Sequence, residues 1–263
     1  MAVYDYALYS EILLGYESHL IFPLKMGDNT SLTKFQSRFN VSLYDDLDKG
    51  SCGIGGPELP KLAISVGCNL LYMLKEGKKL FEPLYPSSFT DEIPTAVHAV
   101  FSWDVHGTTY AAISPAVHPS HDMNFVVPHM VTTCNISSTD SVVDSLRSEL
   151  NIPESATTVC RHGGPTTFSL DVAKNAVKRL VGLFNETELH FIFLNTNKFV
   201  DDQKVHYLKK TSDMRKKEDF FSACDCMLHA RADGETFGLA VGEFSIRGKP
   251  VITTNVKGKT IYN

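Results

Sequence analysis

The sequence predicts an α/β protein built on parallel sheets, and its patterning and composition both support that prediction. Short runs of β-branched and aromatic residues alternate with amphipathic runs along most of the 263 residues, which is typical of repeated strand and helix units. The composition, with 43% hydrophobic and 21% charged residues, is that of a globular protein with a packed core. A chain of this length holds one large domain or two small ones.

The first half predicts a small α/β domain whose elements are bounded by glycine, proline or polar residues. Apolar residues recur at helical spacing from Tyr4 to Leu14, and Gly15 follows them. Ser31 is a suitable N-cap for the second helix. The other predicted elements are strands over 18–22, 41–44, 69–74, 96–101, 108–113 and 125–131, and a helix over 58–66.

A glycine-rich stretch over 50–56 invites comparison with a phosphate-binding loop. Such a loop follows a buried strand and opens a helix. This stretch instead follows an acidic loop that contains Asp45, Asp46 and Asp48. We therefore predict a flexible turn there.

A polar segment separates the two halves, and we place the domain boundary between residues 138 and 139. The first predicted domain is thus 1–138 and the second is 139–263. The second half repeats the alternation of strand and helix. Its predicted elements are helices over 141–150, 172–181, 216–221 and 237–247, and strands over 157–160, 190–194, 205–208, 225–228 and 251–254.

Two histidines of the first half are candidates for a site. His98 lies in a predicted strand and His106 lies in the loop after it. Ligands of open α/β sheets bind beyond the carboxyl ends of the strands, where this loop would lie. Either histidine could equally be a hydrogen-bonded core residue, and Asp104 could fix a tautomer or form a turn.

The strand over 157–160 leads directly into a turn that suits an anion. Arg161 follows the strand, and Gly163 and Gly164 come next, before the predicted helix. A strand, a Gly-Gly turn and a helix let backbone amides and a helix terminus approach a diphosphate. A guanidinium such as that of Arg161 can bind phosphate oxygens through two parallel hydrogen bonds.

The stretch over 220–254 predicts strand, loop, helix and strand, and it carries two carboxylates. Glu235 lies in the loop and Glu243 lies in a helix whose neighbours are mostly apolar. The amides of Phe237, Gly238 and Leu239 would be free donors at the start of that helix, where they attract an anion or a polar ligand group. The alternative is an ordinary amphipathic helix with two exposed glutamates.

These residues form a spaced motif: two glutamates separated by seven residues, a Phe-Gly pair after the first, and a closing Gly-x-Pro-Val. The motif residues are Glu235, Phe237, Gly238, Glu243, Gly248, Pro250 and Val251. This string resembles the donor-site signature of retaining glycosyltransferases of the GT-B fold. The resemblance covers 160–251 well and the first 130 residues in outline.

The resemblance implies two Rossmann-like domains with parallel sheets that face a central cleft. The first would be the acceptor-side domain, and the second would bind a nucleoside diphosphate sugar as co-substrate, with no further cofactor. The implied activity is hexosyl or pentosyl transfer to a glycan or other hydroxyl acceptor, with retention of configuration. Asp45-Asp46 and Asp201-Asp202 lack the alternation of a metal-binding pair, which favours this metal-independent type.

The resemblance also implies a role for each candidate side chain. Glu243 would bind the ribose of the nucleotide, and Glu235 would orient the sugar with the amides of Phe237, Gly238 and Leu239. Arg161 would stabilise the leaving diphosphate with the Gly163 and Gly164 amides. No protein nucleophile is needed if that diphosphate helps to deprotonate the acceptor. The implied catalytic residues on the facing domain are His98 and His106, one of which would contact the sugar or the acceptor.

The sequence departs from the family pattern in two places. A lysine five or six residues after Arg161 is replaced by Thr166, Thr167 and Phe168, so Lys174, Lys209 or Lys210 would have to substitute. The chain also ends soon after the strand over 251–254, without the usual terminal helices, so we expect a minimal enzyme, a truncated product or an inactive relative. Two alternatives are therefore a non-catalytic sugar-nucleotide or glycan-binding protein, and a GT-B epimerase or phosphorylase.

Charge and hydropathy exclude several classes of partner. The net charge of −5 and the pI of 6.0 argue against nucleic acid or a strongly anionic membrane as the main partner. The basic run over 209–217 is interpreted as a solvated surface. The N-terminus is too polar for a signal peptide, and no apolar run approaches 18 residues. We expect a cytoplasmic protein with free thiols and no transmembrane segment, and peripheral membrane contact stays open.

Overall fold

The structure is a computed structural model that describes residues 2–23, 29–44, 58–77, 93–120, 122–133 and 145–254. It divides into two compact units, Met1–Met130 and Val131–Asn263. The predicted boundary at 138/139, the glycine-rich stretch over 50–56 and the start of the helix predicted over 141–150 lie outside the described residues.

The first unit alternates helices and strands, and its strands pair in parallel. One sheet pairs β1 with β2, and another has the order β3-β4-β5. The elements are α1 (Ala2–Leu14), β1 (His19–Pro23), α2 (Asn29–Gln36), β2 (Asn40–Tyr44), α3 (Glu58–Ser65), β3 (Leu71–Lys75), β4 (Thr95–Ala99) and β5 (Thr109–Ala112).

The regularly spaced apolar residues of the first 40 positions pack into one small core. Ala7 of α1 packs with Leu20 of β1, and with Phe35 and Phe39. Phe35 lies in α2, and Phe39 follows the end of that helix. Burial of these rings supplies much of the local stability, since each aromatic side chain removes a large apolar area from water.

The strand predicted over 125–131 is wrong. Met123–Phe125 form a short 3-10 helix, and Val126 makes a single parallel bridge to Ala112. Beyond that bridge the chain runs without regular structure to Val131. Pro128 has no N–H to donate to a neighbouring strand, so a sheet ladder cannot continue through this position.

The second unit contains one five-stranded sheet in which every pairing is parallel. The strand order is β10-β9-β6-β7-β8. Its elements are α4 (Ser145–Glu149), β6 (Thr157–His162), α5 (Asp171–Leu183), β7 (Leu189–Leu194), β8 (Val205–Leu208), α6 (Met214–Ala223), β9 (Cys226–Leu228), α7 (Leu239–Ser245) and β10 (Val251–Ile252).

Alternating residues of β7 build the two cores of this unit, one on each face of the sheet. Phe191 and Phe193 pack with Val177 of α5 on one face. Ile192 packs on the other face with Phe244 of α7 and other apolar side chains. Both faces of β7 are therefore buried, as expected for a parallel sheet covered by helices.

Two boundaries in the second unit matter for the site. β6 continues two residues further than predicted, so Arg161 and His162 are strand residues rather than turn residues. α7 spans seven residues, and Gly248 beyond it has a φ of +67°. This left-handed conformation confirms the glycine that the sequence predicted at the end of the helix.

Two kinds of feature are missing from the described part of the chain. None of its helices is long and apolar enough to cross a membrane. Nor do three or more His, Cys, Asp or Glu side chains gather there in a way that could hold a metal ion. The four described cysteines, Cys68, Cys160, Cys224 and Cys226, are all free thiols.

A buried arginine ties α4 to the starts of the two central strands. The Arg147 Nε donates to the Ala223 carbonyl at 3.1 Å, and its Nη1 donates to the Ala156 carbonyl at 3.0 Å. Its Nη2 donates to Thr158 Oγ1 at 2.9 Å and to Asp225 Oδ2 at 2.8 Å. Since Asp225 also accepts from the Thr158 amide at 2.7 Å, the starts of β6 and β9 are held together through this cluster.

We expect Arg147→Met to lower the free energy of unfolding by about 3 kcal/mol, because buried carbonyls lose their donors and Asp225 loses its cation. Urea denaturation followed by circular dichroism measures this change. As a matched control, Arg179→Met removes an exposed arginine from α5 and is expected to cost under about 0.5 kcal/mol. Equal stability of the two variants would show that Arg147 does not hold these strands.

Candidate functional site

The strand order places two loops of the second unit side by side. β6 and β9 are neighbours, but the chain visits β7 and β8 between them. After β6 the chain therefore continues towards β7, and after β9 it continues towards β10. The two loops thus lead away from the β6–β9 boundary in opposite directions. A reversal of this kind opens a crevice at the carboxyl ends of the strands, and ligands of open α/β sheets bind there.

Arg161, in β6, is buried, with 3% of its surface exposed. Its Nη2 donates to the Gly164 carbonyl at 3.0 Å and to Thr167 Oγ1. Its Nη1 donates to Thr196 Oγ1 and, at 3.4 Å, to the Asn195 carbonyl. Burial lowers the pKa of Arg161 to about 10, so the guanidinium still carries its charge at neutral pH. The side chain fixes the turn that follows β6.

The glycines of this turn fit closely around that guanidinium. A Cβ atom on Gly163 would lie 2.7 Å from Arg161 Nη2, so any other residue there would displace the guanidinium from its present position. The Gly163 carbonyl accepts a hydrogen bond from Asn195 Nδ2 at 2.7 Å, and the Gly164 carbonyl accepts from the Thr167 amide at 3.1 Å. The close approach of the arginine therefore explains Gly163, while a Cβ atom on Gly164 would lie 3.1 Å from Thr167 Cγ2.

Glu235, in the loop after β9, accepts from two basic side chains of the same loop. Its Oε2 accepts from Arg231 Nη1 at 2.9 Å, and its Oε1 lies 3.3 Å from His229 Nε2. Burial would raise the pKa of Glu235, but His229 and Arg231 outweigh that effect and lower it. Glu235 is therefore a carboxylate at neutral pH.

Glu243, in α7, is also held by two basic side chains. Lys217 Nζ of α6 donates to its Oε1. His162 Nε2, at the end of β6, lies 2.9 Å from its Oε2, although the ring is poorly aligned for a hydrogen bond. The Glu243 side chain is 16% exposed, so this carboxylate lies at the edge of the interior and not on an open helix face.

These neighbours determine the charge states of the group. Burial would raise the pKa of Glu243, but His162 and Lys217 outweigh it and lower that pKa to about 2. Burial also lowers the pKa of His162, against the opposing effect of Glu243. At neutral pH Glu243 is therefore ionised beside a neutral imidazole and an ammonium group. Both of its carboxylate oxygens can then accept hydrogen bonds.

The structure groups the predicted residues of the second unit around β6, β9 and α7. Gly238 precedes α7 in a left-handed conformation, with a φ of +79°, and its carbonyl accepts from the Gly242 amide at 3.0 Å. Phe237 and Leu239 flank it and are partly exposed. The donor-binding roles of these three residues stay predictions.

His98 is enclosed within the first unit. Its Nε2 donates to the Val127 carbonyl at 2.6 Å, so its Nδ1 accepts from the Tyr72 hydroxyl at 2.5 Å. The rings of Tyr6 and His129 lie at centroid distances of 5.5 and 5.6 Å from it. Burial lowers the pKa of His98, so the ring is neutral at neutral pH. Its contacts match the core alternative, and its catalytic role stays a prediction.

His106 is buried in the loop between β4 and β5. Its Nδ1 donates to the Asp104 carbonyl at 2.5 Å, so its Nε2 accepts from Lys75 Nζ at 3.2 Å. Asp104 thus fixes the tautomer through its backbone and not through its carboxylate. A catalytic role of His106 also stays a prediction.

Four side chains of this site were missed as candidates in the sequence. Lys217 belongs to the basic run predicted as a solvated surface, and that prediction is wrong for this residue, which is 12% exposed and paired with Glu243. Its partner lies 26 positions away, so no local spacing signals the pair. No sequence pattern singles out His162, His229 or Arg231, whose contacts with the two glutamates depend on the fold.

Comparisons with known proteins identify the fold. No protein-family model matches the chain, and no curated protein does either. A glycosyltransferase from Rickettsia africae ESF-5 superposes with a TM-score of 0.66 at 12% identity, over 98% of this chain and 76% of that one. This likeness shows a shared fold, and with the parallel sheets described above it confirms the predicted α/β class of GT-B type.

Two further solved structures are less similar. The S. aureus MnaA–UDP co-structure gives a TM-score of 0.44 at 10% identity, over 91% of this chain and 79% of that one. WaaG, a glycosyltransferase involved in lipopolysaccharide biosynthesis, gives a TM-score of 0.45 at 12% identity, over 92% and 82%.

We expect Glu243→Gln to remove an acid-sensitive part of the stability. The pKa of about 2 in the folded protein lies below the ordinary value of 4.5. This carboxylate therefore stabilises the fold above about pH 4.5 and loses that effect as the pH falls towards about 2. The difference in unfolding free energy between wild type and variant is about 3 kcal/mol at most, because each unit of pKa shift corresponds to about 1.4 kcal/mol. This difference should disappear as the pH falls through that range.

Urea denaturation at a series of pH values from about 6 down to about 3 measures this difference. Asp201→Asn, which removes an exposed carboxylate paired with Lys198, is the control and should change the stability by less than about 0.5 kcal/mol. A difference between wild type and Glu243→Gln that stays constant over the range would contradict the ionised group described here.

Proposed function

We propose that this protein transfers a sugar from a nucleoside diphosphate donor to an acceptor hydroxyl, with retention of configuration and without a metal ion. The observation that carries the proposal is the pair of ionised carboxylates, Glu235 and Glu243, at the β6–β9 boundary of a GT-B-type fold. The spacing motif that contains them supports the same function.

In this proposal Glu243 binds the ribose. A vicinal diol presents two O–H donors, and an ionised carboxylate offers acceptor sites on both oxygens. Lys217 and His162 hold the Glu243 side chain in place before the nucleotide arrives. Binding then costs little ordering of this side chain, which favours affinity.

Glu235 orients hydroxyl groups of the sugar, and its position is fixed in the same manner by His229 and Arg231. The bond between the anomeric carbon and the β-phosphate oxygen breaks, and its electron pair leaves with the diphosphate. The acceptor oxygen bonds to the anomeric carbon on the same face, and the acceptor proton passes to a diphosphate oxygen. Atoms and charge balance without a protein nucleophile.

The positive charge of Arg161 lies under the turn that would face the diphosphate. Fixed donors and charges aimed at developing negative charge are usually a large term in catalysis. The catalytic roles predicted for His98 and His106 stay predictions, since both rings are buried and each ring nitrogen has a partner in the first unit. The acceptor is a glycan or another hydroxyl compound.

A second candidate function is sugar-nucleotide binding without turnover. The Nη2 of Arg161 already bonds to the turn after β6 and its Nη1 to the loop after β7, which favours this alternative because neither nitrogen is free to follow a leaving group. The two functions differ in one observable, the release of nucleoside diphosphate from a bound donor.

The test is binding and turnover of UDP-, GDP- and ADP-sugars by wild type and by Glu243→Ala. We expect one of these donors to bind, and the variant to bind it about 10- to 100-fold more weakly, as for loss of hydrogen bonds to a charged acceptor. Calorimetry measures the binding, release of nucleoside diphosphate measures the turnover, and NMR of the product gives the anomeric configuration.

Glu149→Ala, which removes an exposed glutamate from α4, is the matched control and should bind the donor as wild type does. Binding without release would favour the second function. If wild type binds none of the donors, or Glu243→Ala binds as tightly as wild type, the donor site proposed here is wrong.

A further inference from the structure

The donor site needs a cation that the turn after β6 does not offer. A diphosphate leaving group carries at least two negative charges, and Arg161 directs its terminal nitrogens to Gly164, Thr167, Asn195 and Thr196. The side chains five to seven residues after Arg161 carry no charge. Another basic residue must therefore face the phosphates.

Of the lysines considered from the sequence, Lys209 and Lys210 are poorly placed for this role. Lys209 and Lys210 follow β8, the outer strand of the sheet, which β7 separates from β6. Two strand spacings amount to about 10 Å, so their strand ends well away from the β6–β9 boundary. Lys174 lies in the first turn of α5, 3.7 Å from Asp171.

Arg231 meets the positional requirement. It lies in the loop after β9, directly beside the end of β6 in the strand order. Its Nη1 donates to Glu235, and this is the single hydrogen bond of its guanidinium to the described residues. The Nε–H is buried and has no acceptor among them. A buried donor left without an acceptor costs free energy, and a ligand oxygen would relieve that cost.

The charges around Arg231 also favour an anion. Arg231 repels Arg161, and Glu235 attracts Arg161 more strongly than Arg231 repels it, so the three charges lie within electrostatic range of one another. Two guanidinium groups against one carboxylate leave a net positive charge. An anionic ligand would remove the repulsion between the two arginines, and the burial of Arg161 strengthens that effect.

We propose that Arg231 is the second cation of the donor site and a catalytic residue of the transfer. This inference rests on the proposed function. The Nε and Nη2 edge of its guanidinium binds oxygens of the β-phosphate while Nη1 stays on Glu235. As the anomeric C–O bond breaks, the electron pair moves onto the β-phosphate oxygen that faces Arg231. The acceptor proton goes to the same diphosphate.

This arrangement links sugar and phosphate recognition through one ion pair. Glu235 orients the sugar and also anchors Arg231, so a correctly placed sugar and a correctly placed leaving group depend on the same carboxylate. The fork geometry matters, because lysine has the charge but not the two parallel donors of a guanidinium.

Calorimetric titration of the full chain with the nucleoside diphosphate of the accepted donor, and with its parent nucleoside, tests the inference. For Arg231→Met we expect affinity for the diphosphate to fall about 10- to 100-fold, as for loss of a hydrogen bond to a charged group, with affinity for the nucleoside unchanged. Arg231→Lys should recover part of the loss. The control Lys178→Met, on the exposed face of α5, should bind both ligands as wild type does.

The outcomes separate the two proposals. If wild type binds no nucleoside diphosphate, the proposed function fails and this inference fails with it. If wild type binds but Arg231→Met binds the diphosphate equally well, the inference alone is overturned. An equal loss for diphosphate and nucleoside would also overturn it, because it would mark a structural role. So would a selective loss in Lys174→Met that Arg231→Met does not show.

A measurement on wild type covers the case in which the variants do not fold. An arginine-modifying dicarbonyl reagent, followed by mass mapping, reports which guanidinium groups are accessible. Inorganic pyrophosphate is expected to protect Arg231, which is 26% exposed, and not exposed Arg179. Modification of Arg231 at the same rate with and without pyrophosphate would overturn the inference.

Discussion

The parallel pairing of β6 with two neighbours is the constraint on which the candidate site depends. β6 pairs with β7 along its whole length and with β9 through Val159 and Cys160. Arg161 and His162 therefore reach the carboxyl edge of the sheet beside the end of β9. The Arg147 cluster secures the opposite ends of the same two strands. Without this register, the glycine turn and the Glu235 loop would not lie side by side.

Electrostatic compensation shapes the rest of the site. Each of the two glutamates is partly buried, which alone would favour its protonated form, and each is kept ionised by basic side chains from the loops or helices beside it. The cost of burying a charge is thereby offset within the site. The side chains lose little freedom when a ligand arrives, which is the main advantage of such preorganisation. Arg231 follows the same principle, since among the described residues its guanidinium has a partner on one edge and none on the other.

The sequence predicts most of the elements because their signals are local. Helical spacing predicted α1 and α5, and apolar runs predicted β7 and β8, within one or two residues at most of their ends. The strand over 125–131 failed because its apolar run resembles a buried strand while Pro128 prevents a ladder. The glutamates could be found from their spacing. The pairing of Lys217 with Glu243 could not, since it depends on how α6 packs beside α7 and not on any repeat in the sequence.

A crystal structure of the chain with the accepted nucleoside diphosphate tests most directly where the donor lies. The predicted result is a ribose on Glu243, with the diphosphate beside the Gly163–Gly164 turn and its terminal phosphate on Arg231. A nucleotide bound elsewhere in the chain, or one whose phosphates point away from the ends of β6 and β9, would contradict the account.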